Sequence, residues 1–245
     1  MSGIKATGII IKQTEFGDSN RMLSIFTKEF GIIRASVYGA KSVKSSKGAA
    51  SQFLCFSEFE LSKGNSDLYT VYSATAEESF YPISEDIEKL SLAVYLCDLT
   101  YSALGMENKD EKVLSLLLNT LYALSYNDVS VRIAKCVYEL KFMSYMGYSP
   151  VLTKCVKCDN INNIIKFSAV FGGLICSKCN ANGILVNKSV VEAMNYIISA
   201  DNKKMFSFTV TDELLRVVEK IAEEFVREQL DMDFASLLYL KKIMI

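Results

Sequence analysis

Two Cys-x-x-Cys pairs constrain the fold of this 245-residue chain more than any other feature. Cys155 and Cys158 form the first pair, Cys176 and Cys179 form the second, and 17 residues lie between them. Each Cys-x-x-Cys turn presents two thiolates to one metal ion, and two turns roughly 15–20 residues apart are typical of zinc-binding modules. Because the chain contains no histidine, such a site has four sulfur ligands and no open coordination position. The spacing therefore predicts a structural Zn2+ site.

Other uses of these cysteines fit the sequence less well. An iron–sulfur cluster takes the same ligands and stays open as an alternative. A redox-active Cys-x-x-Cys normally opens a helix within a βαβ unit, a pattern that this sequence lacks. A disulfide framework is disfavoured by the odd total of seven cysteines. The other three cysteines lie on apolar faces and are predicted to be ordinary buried residues: Cys55, Cys97 and Cys136.

The composition excludes several classes of protein. Without histidine, no mechanism can use imidazole as an acid, a base or a metal ligand. The longest apolar stretches, residues 90–106 and 113–124, are interrupted by polar side chains, so no membrane helix is predicted. The N-terminal residues MSGIKATGII lack the basic and apolar segments of a secretory signal. We therefore expect a cytoplasmic protein, in a compartment where disulfides rarely persist.

The pattern of residues 4–72 predicts a small β-barrel. Apolar and β-branched runs alternate with turn signals rich in glycine, asparagine and serine, and no helical period occurs among them. A five-stranded OB-fold fits this count. The predicted strands are Ile4–Thr14, Arg21–Phe26, Ile32–Tyr38, Phe53–Leu61 and Leu68–Tyr72.

From Ser84 onwards the apolar period changes to that of helices. Ser84 is the predicted start of the first helix, whose apolar face is predicted as Ile87, Leu90, Val94, Cys97, Tyr101 and Leu104. Further helices are predicted at Glu111–Ala123, Ser130–Met146, Ser189–Ile198, Thr211–Leu230 and Phe234–Ile243. The carboxylates of Glu219, Glu223 and Glu224 are predicted to be solvated. The predicted segments are a barrel at 1–80, helices at 81–150, a zinc module at 151–187 and helices at 188–245.

The clearest candidate binding surface is the loop Tyr38–Gln52, which is rich in small residues and contains no acid. The net charge of the chain is only −1, yet residues 1–50 carry eight basic and three acidic side chains. Such a loop suits a phosphate backbone, and an aromatic side chain beside it can stack on a base. The alternative is a solvated loop whose lysines only maintain solubility. The candidate nucleic-acid-binding residues are Lys12, Arg21, Arg34, Tyr38, Lys41, Lys44 and Lys47.

Residues Glu15–Gly48 resemble the N-terminal signature of the RecO family of bacterial recombination mediators. The matching elements are Gly-Asp-Ser-Asn-Arg at 17–21, Thr27 to Gly31, and Gly-Ala-Lys at 39–41. Independently, FSAVFGGLICSKC at 167–179 is similar to the zinc module of many RecO sequences. Asp18 and Asn20 depart from the more usual glutamate and aspartate of the signature.

The resemblance implies a multidomain α+β protein with an N-terminal OB-fold, an all-α body and a four-cysteine zinc-binding insertion. It also implies a function, since RecO proteins bind single- and double-stranded DNA and anneal complementary strands. With RecR, they help RecA load onto DNA that is coated by the single-stranded-DNA-binding protein. The bacterial nucleoid is the location that this role implies.

An enzyme and a protein–protein adaptor are the alternative functions. A zinc ribbon and a β-barrel occur together in nucleic-acid-processing enzymes. However, the sequence contains no phosphate-binding loop ending in Lys-Ser/Thr, no nucleophile elbow and no helix-borne pair of metal ligands, so no catalytic residue is predicted. An adaptor would differ from the leading hypothesis only by lacking affinity for DNA.

Overall fold

The computed structural model describes residues 3–41, 47–64 and 67–244. The chain divides into two compact units, Met1–Leu114 with Ser236–Ile245, and Ser115–Ala235. The boundaries predicted after residues 80, 150 and 187 each fall between two secondary-structure elements. The four-segment division itself stays a prediction.

Five strands of the first unit form a closed barrel: β1 (Ile4–Phe16), β2 (Asn20–Thr27), β3 (Gly31–Val37), β4 (Phe56–Lys63) and β5 (Leu68–Glu78). Their order around the barrel is β1-β2-β3-β5-β4, and β4 pairs with β1 to complete the circle. Only the β3–β5 pairing is parallel. The prediction of a five-stranded barrel is therefore confirmed, and this order is that of an OB-fold.

The barrel interior is filled by alternate residues of each strand, because successive side chains of a strand point to opposite faces. Phe59 and Leu61 are buried in the barrel core, whereas Glu58 and Glu60 between them are exposed. Most predicted strand limits lie within two residues of the observed ones, and two were wrong by more. β4 begins at Phe56 rather than Phe53, since Leu54 has a φ of 66° that ends extended pairing. β5 continues beyond Tyr72 to Glu78 along β4.

A short parallel pairing closes the barrel. Arg34, Ala35 and Ser36 of β3 face Leu68, Tyr69 and Thr70 of β5. The buried hydroxyl of Ser36 donates to the Tyr69 carbonyl oxygen at 3.3 Å. Nearer the start of β3, Ile32 forms a bridge with Met106 instead. This close approach requires glycine at position 31, where a Cβ atom would lie 2.4 Å from the Asn108 carbonyl oxygen.

The first unit also contains single-turn helices α1 (Lys47–Ala50) and α2 (Tyr81–Ser84), followed by α3 (Ile87–Leu104). The predicted helix start at Ser84 was wrong. Asp86 caps α3 by accepting hydrogen bonds from the backbone N–H groups of Glu88 and Lys89 at 2.9 and 3.1 Å. A carboxylate accepts two such bonds more readily than a hydroxyl does, and it also stabilises the helix dipole.

The predicted apolar face of α3 was also partly wrong. Ile87 and Val94 are exposed, while Leu92, Leu96 and Leu99 are buried. The helix is buried on more than one side, as shown by the burial of the polar side chains Ser91 and Thr100. A helix that is buried on several sides has no single apolar stripe, so the spacing of its apolar residues does not indicate which side is buried.

The remaining helices are α4 (Glu111–Tyr126), α5 (Val131–Tyr145), α6 (Lys188–Ser199), α7 (Asp212–Leu230) and α8 (Ala235–Ile243). Ser130 and Thr211 are the N-caps of α5 and α7 rather than their first residues. Between α5 and α6 lies a four-stranded sheet in the order β6-β8-β7-β9. Its strands are β6 (Val151–Cys155), β7 (Ile164–Ser168), β8 (Gly173–Cys176) and β9 (Ile184–Leu185). Among the helices that the structure describes, none has the length and apolarity needed to cross a bilayer.

Ion pairs join α5 to α7, where the sequence predicted solvated carboxylates. Arg132 donates to Glu219 from Nε at 3.0 Å, and Lys135 pairs with Glu139 at 3.0 Å and with Glu223 at 3.3 Å. Lys135 and Glu139 are buried. Burial acts to lower the pKa of Lys135, but the charges of Glu139 and Glu223 outweigh it and raise the pKa. The lysine is therefore charged at neutral pH and neutralises Glu139, whose side chain is fully buried, and Glu223, whose side chain is partly exposed.

A second buried lysine of α5 has a different environment. The Nζ of Lys141 donates to the carbonyl oxygens of Ile197 at 3.2 Å and Ala200 at 2.5 Å, at the C-terminal end of α6. Burial lowers the pKa of Lys141. The negative end of the α6 dipole compensates part of this burial cost and fixes α6 against α5.

Replacement of Lys135 by alanine is expected to lower the free energy of unfolding by about 3–5 kcal/mol, because it leaves Glu139 buried without its counter-ion. Urea denaturation monitored by circular dichroism provides the measurement. The matched control is Lys220→Ala on α7, which removes an exposed pair with Glu224 and should change stability by less than about 1 kcal/mol. Equal effects of the two substitutions would contradict a stabilising role for Lys135.

Candidate metal centre and nucleic-acid interface

The four predicted metal ligands converge at the ends of two strands. Cys155 is the last residue of β6 and Cys176 is the last residue of β8, with Cys158 and Cys179 in the turns that follow. Their four sulfur atoms all lie within 4.8 Å of one another, and those of Cys158 and Cys176 are 3.6 Å apart. A Zn–S bond of about 2.3 Å places tetrahedral sulfur atoms about 3.8 Å apart. The cluster can therefore hold a metal ion, and its donor set fits Zn2+.

Backbone hydrogen bonds shape both cysteine turns. The N–H of Asp159 donates to the Cys155 carbonyl oxygen at 2.9 Å, and the N–H of Cys179 donates to that of Cys176 at 3.2 Å. Cys155 and Cys176 are buried, whereas Cys158 is exposed. The cluster thus lies at the edge of the module, with its inner ligands fixed by the sheet.

The four thiols differ in acidity. Burial raises the pKa of Cys155, but hydrogen bonds from the backbone N–H groups of Cys176, Lys157 and Cys158 outweigh it and lower the pKa to about 6. The hydrogen bond with the side chain of Cys158 raises the pKa of Cys179 to about 12. Four thiols this close cannot all ionise unless a cation offsets their mutual repulsion. A divalent ion would stabilise all four thiolates and close the site to water and substrate.

The other three cysteines are buried, as predicted. Burial raises the pKa of Cys55, Cys97 and Cys136, which keeps these thiols protonated. None of them belongs to the cluster of potential ligands.

Purified protein is expected to contain one zinc ion per chain, and Cys176→Ala should reduce this content severely because it removes a buried ligand. Elemental analysis after gel filtration measures zinc and iron together and so also tests the iron–sulfur alternative. Cys55→Ala is the matched control and should retain full metal content. Full zinc content in the Cys176→Ala protein would remove Cys176 from the ligand set.

Part of the predicted nucleic-acid-binding surface packs beside the turn between β1 and β2. Lys41 forms an ion pair with Glu15 of β1, and its backbone N–H donates to the Ser19 carbonyl oxygen at 3.3 Å. Tyr38 is 54% exposed, and its ring packs edge-to-face on Phe16 with the centroids 6.0 Å apart. These contacts place an exposed aromatic ring and a lysine beside the same turn.

The half-buried side chain of Arg21 is hydrogen-bonded to other residues of the first unit. Its Nη1 donates to the Gly48 carbonyl oxygen at 2.8 Å and to the Ser51 hydroxyl at 3.1 Å. It therefore fixes the C-terminal end of the basic loop, Tyr38–Gln52. Part of this loop is the helical turn α1, whereas the sequence predicted an irregular loop throughout. Lys47, the first residue of α1, is half-buried. Lys44 lies outside the described residues.

Arg34 and Lys12 have contrasting environments. Arg34 is exposed on β3 and lines a cavity of about 540 Å³. That cavity is also lined by Ile33, Asp67, Leu68, Tyr69, Met106 and Glu107. Lys12 forms an ion pair with Asp98 at 3.2 Å and lies 4.1 Å from the centroid of the Tyr101 ring. Of the predicted cations, Arg34 is thus open to solvent, whereas Lys12 and Arg21 have partners within the first unit.

Two residues of this surface were absent from the sequence-based set. Glu15 neutralises Lys41, and Phe16 supports Tyr38. Both immediately precede the Gly17 turn, where β1 and β2 begin their pairing at Phe16 and Asn20. The turn signal was present in the sequence, but the contact with residues 38–41 depends on the register of three strands.

Comparisons with known proteins cover nearly the whole chain. The family model for the N-terminal part of recombination protein O matches residues 1–80, and the model for its C-terminal part matches residues 84–238. A protein named "DNA repair protein RecO" from Acetivibrio thermocellus is 35% identical over 99% of this chain and 98% of the relative. A protein of the same name from Alkaliphilus metalliredigens is 34% identical over 98% of this chain and 99% of the relative.

Proposed function

Because this chain belongs to the RecO family, we propose that it acts in DNA repair and recombination by binding DNA and annealing complementary strands. The substrates would be single- and double-stranded DNA at the bacterial nucleoid. In this proposal the chain works with RecR to help RecA load onto DNA coated by the single-stranded-DNA-binding protein. Its contribution is binding and charge neutralisation rather than catalysis.

The observation that supports this proposal most strongly is the outer surface of β3 and its following turn. The OB-type barrel exposes Arg34 on β3, and Tyr38 and Lys41 directly after the strand. A ring beside separated cations suits a nucleic acid strand, since bases stack on aromatic faces while phosphates pair with cations. We propose that these three residues, with Lys44 and Lys47, make the direct contacts.

Annealing follows from charge neutralisation. Two complementary strands repel one another through their phosphates, and a protein that pairs with those phosphates lowers this repulsion. The Glu15 carboxylate competes with phosphate for Lys41, so binding of DNA would exchange one ionic partner for another. Arg21 would act by holding the basic loop in position, and Lys12 would exchange Asp98 for a phosphate in the same way as Lys41 exchanges Glu15.

The four-cysteine cluster would have a structural role in this function. Metal-bound Cys155, Cys158, Cys176 and Cys179 would join the ends of β6 and β8, which are only five and four residues long. Such a short sheet buries little apolar surface, so a metal ion adds stability that its core cannot supply.

The double substitution Arg34→Gln with Lys41→Gln is expected to weaken binding of oligothymidylate and to flatten its salt dependence. Losing two phosphate contacts should reduce the magnitude of the log Kd against log salt slope by about 1.4, at about 0.7 per contact on single strands. Fluorescence anisotropy over a series of salt concentrations measures this slope. Lys5→Gln, an exposed cation of β1 on the same barrel, is the control. An unchanged slope in the double variant would exclude these residues from the DNA site.

Annealing of two complementary oligonucleotides should be accelerated by the purified protein without any nucleotide. The acceleration should fade as the salt concentration rises, because salt competes for the same phosphate charges. A fluorescence-quenching pair on the two strands provides the rate. A protein that binds neither strand at low salt would disprove the proposal and favour an adaptor.

A further inference from the structure

The hairpin between β7 and β8 presents apolar residues where a turn normally presents polar ones. Its corner is the four-residue turn Ala169–Gly172, closed by a 3.2 Å hydrogen bond from the Gly172 N–H to the Ala169 carbonyl oxygen. Val170 and Phe171 occupy the two central positions and are 66% and 49% exposed. Asp, Asn, Ser, Gly and Pro stabilise such positions, so local folding does not require valine and phenylalanine there.

The base of this hairpin is anchored to α7. The side-chain amide of Gln229 donates to the Ala169 carbonyl oxygen at 2.7 Å, and Phe167 packs edge-to-face on Phe225 with the centroids 5.7 Å apart. A Cβ atom at Gly173 would lie 2.5 Å from the Val156 side chain, so the hairpin also packs closely on the first cysteine turn. These contacts of the hairpin base with α7 and with the first cysteine turn keep Val170 and Phe171 exposed to solvent.

A lysine of the first cysteine turn accompanies the exposed ring. The Nζ of Lys157 lies 4.6 Å from the centroid of the Phe171 ring. Asp159 is the only carboxylate between residues 151 and 187, and it pairs with Lys154. The same segment contains four lysines. The exposed Phe171 ring is thus in contact with a cation, in a segment that carries more lysines than carboxylates, which favours a polyanion with apolar faces over an apolar protein surface.

We propose that this hairpin is a second contact for single-stranded DNA, in which a base stacks on Phe171 and Lys157 pairs with the adjacent phosphate. Aromatic stacking is independent of base identity, and the neighbouring ammonium group supplies the ionic contact. The inference rests on the proposed function, because it assigns DNA as the ligand. It gives the cysteine module a direct role in binding, beyond the structural one.

Two contacts on one chain have a consequence for annealing. A strand held only by the barrel is bound at one place, whereas the hairpin can hold a second strand or a second stretch of the same strand. Binding of the second segment then becomes intramolecular and gains from a raised local concentration. Loss of the hairpin contact should therefore lower the annealing rate even when the barrel site is saturated.

The test uses the full-length, metal-loaded protein and an oligothymidylate probe that carries 5-iodouracil for photocrosslinking. Phe171→Ser is expected to weaken binding of single strands about tenfold, and to abolish a crosslink that wild-type protein forms within residues 169–172. Lys157→Gln should reduce the magnitude of the salt slope by about 0.7. The controls are Leu185→Ser, an apolar side chain of the same module that is 70% exposed, and Lys188→Gln, an exposed lysine of α6 that pairs with Glu192. Both should bind as wild type does.

The outcomes separate this inference from the proposed function. Loss of affinity in Phe171→Ser, with unchanged zinc content and a crosslink mapped to the hairpin, supports the second contact. Wild-type affinity in Phe171→Ser and no hairpin crosslink, while the Arg34→Gln, Lys41→Gln protein loses binding, overturns the second contact alone. A wild-type protein that binds no DNA overturns both.

Discussion

The barrel depends on a seam of three residue pairs, where Arg34, Ala35 and Ser36 of β3 meet β5 in parallel. Parallel pairing is slightly weaker per residue than antiparallel pairing, and an open barrel would expose two strand edges. The Ser36 hydroxyl adds a buried hydrogen bond at this seam, and Met106 covers the edge of β3 beside it. The same strand presents Arg34 to solvent and leads into Tyr38, so closure of the fold and formation of the proposed DNA surface use one element.

The cations of the chain divide into those that hold the structure together and those that are open to a ligand. Lys135 and Lys141 are buried and satisfied by carboxylates or helix carbonyls, and Arg21 is tied to the end of the basic loop. Arg34 is open to solvent, and Lys157 lies against an exposed ring. Net charge reveals little about such a protein, because a lysine that neutralises a buried glutamate contributes nothing to the field that DNA meets.

The sequence predicted what depends on local patterns and spacing. Alternation identified the barrel strands, and two cysteine pairs at a known spacing identified the cluster. It failed where tertiary contacts decide. No local pattern around Glu219 and Glu223 indicates that these carboxylates pair with Arg132 and Lys135 of another helix. The buried face of α3 was predicted wrongly because a helix buried on several sides has no single apolar stripe. The exposure of Phe171 could not be predicted because it depends on the conformation of the turn that contains it.

The composition of the first unit has a consequence for synthesis of the protein. The unit contains the barrel at the start of the chain together with Ser236–Ile245, whereas the second unit is a continuous segment, Ser115–Ala235. A ribosome therefore releases every residue of the second unit before the first unit has its last helix. The five barrel strands can pair early, but the first unit stays without α8 while the cysteine module is made and can acquire its metal. Order of completion in the cell is thus the reverse of order along the chain.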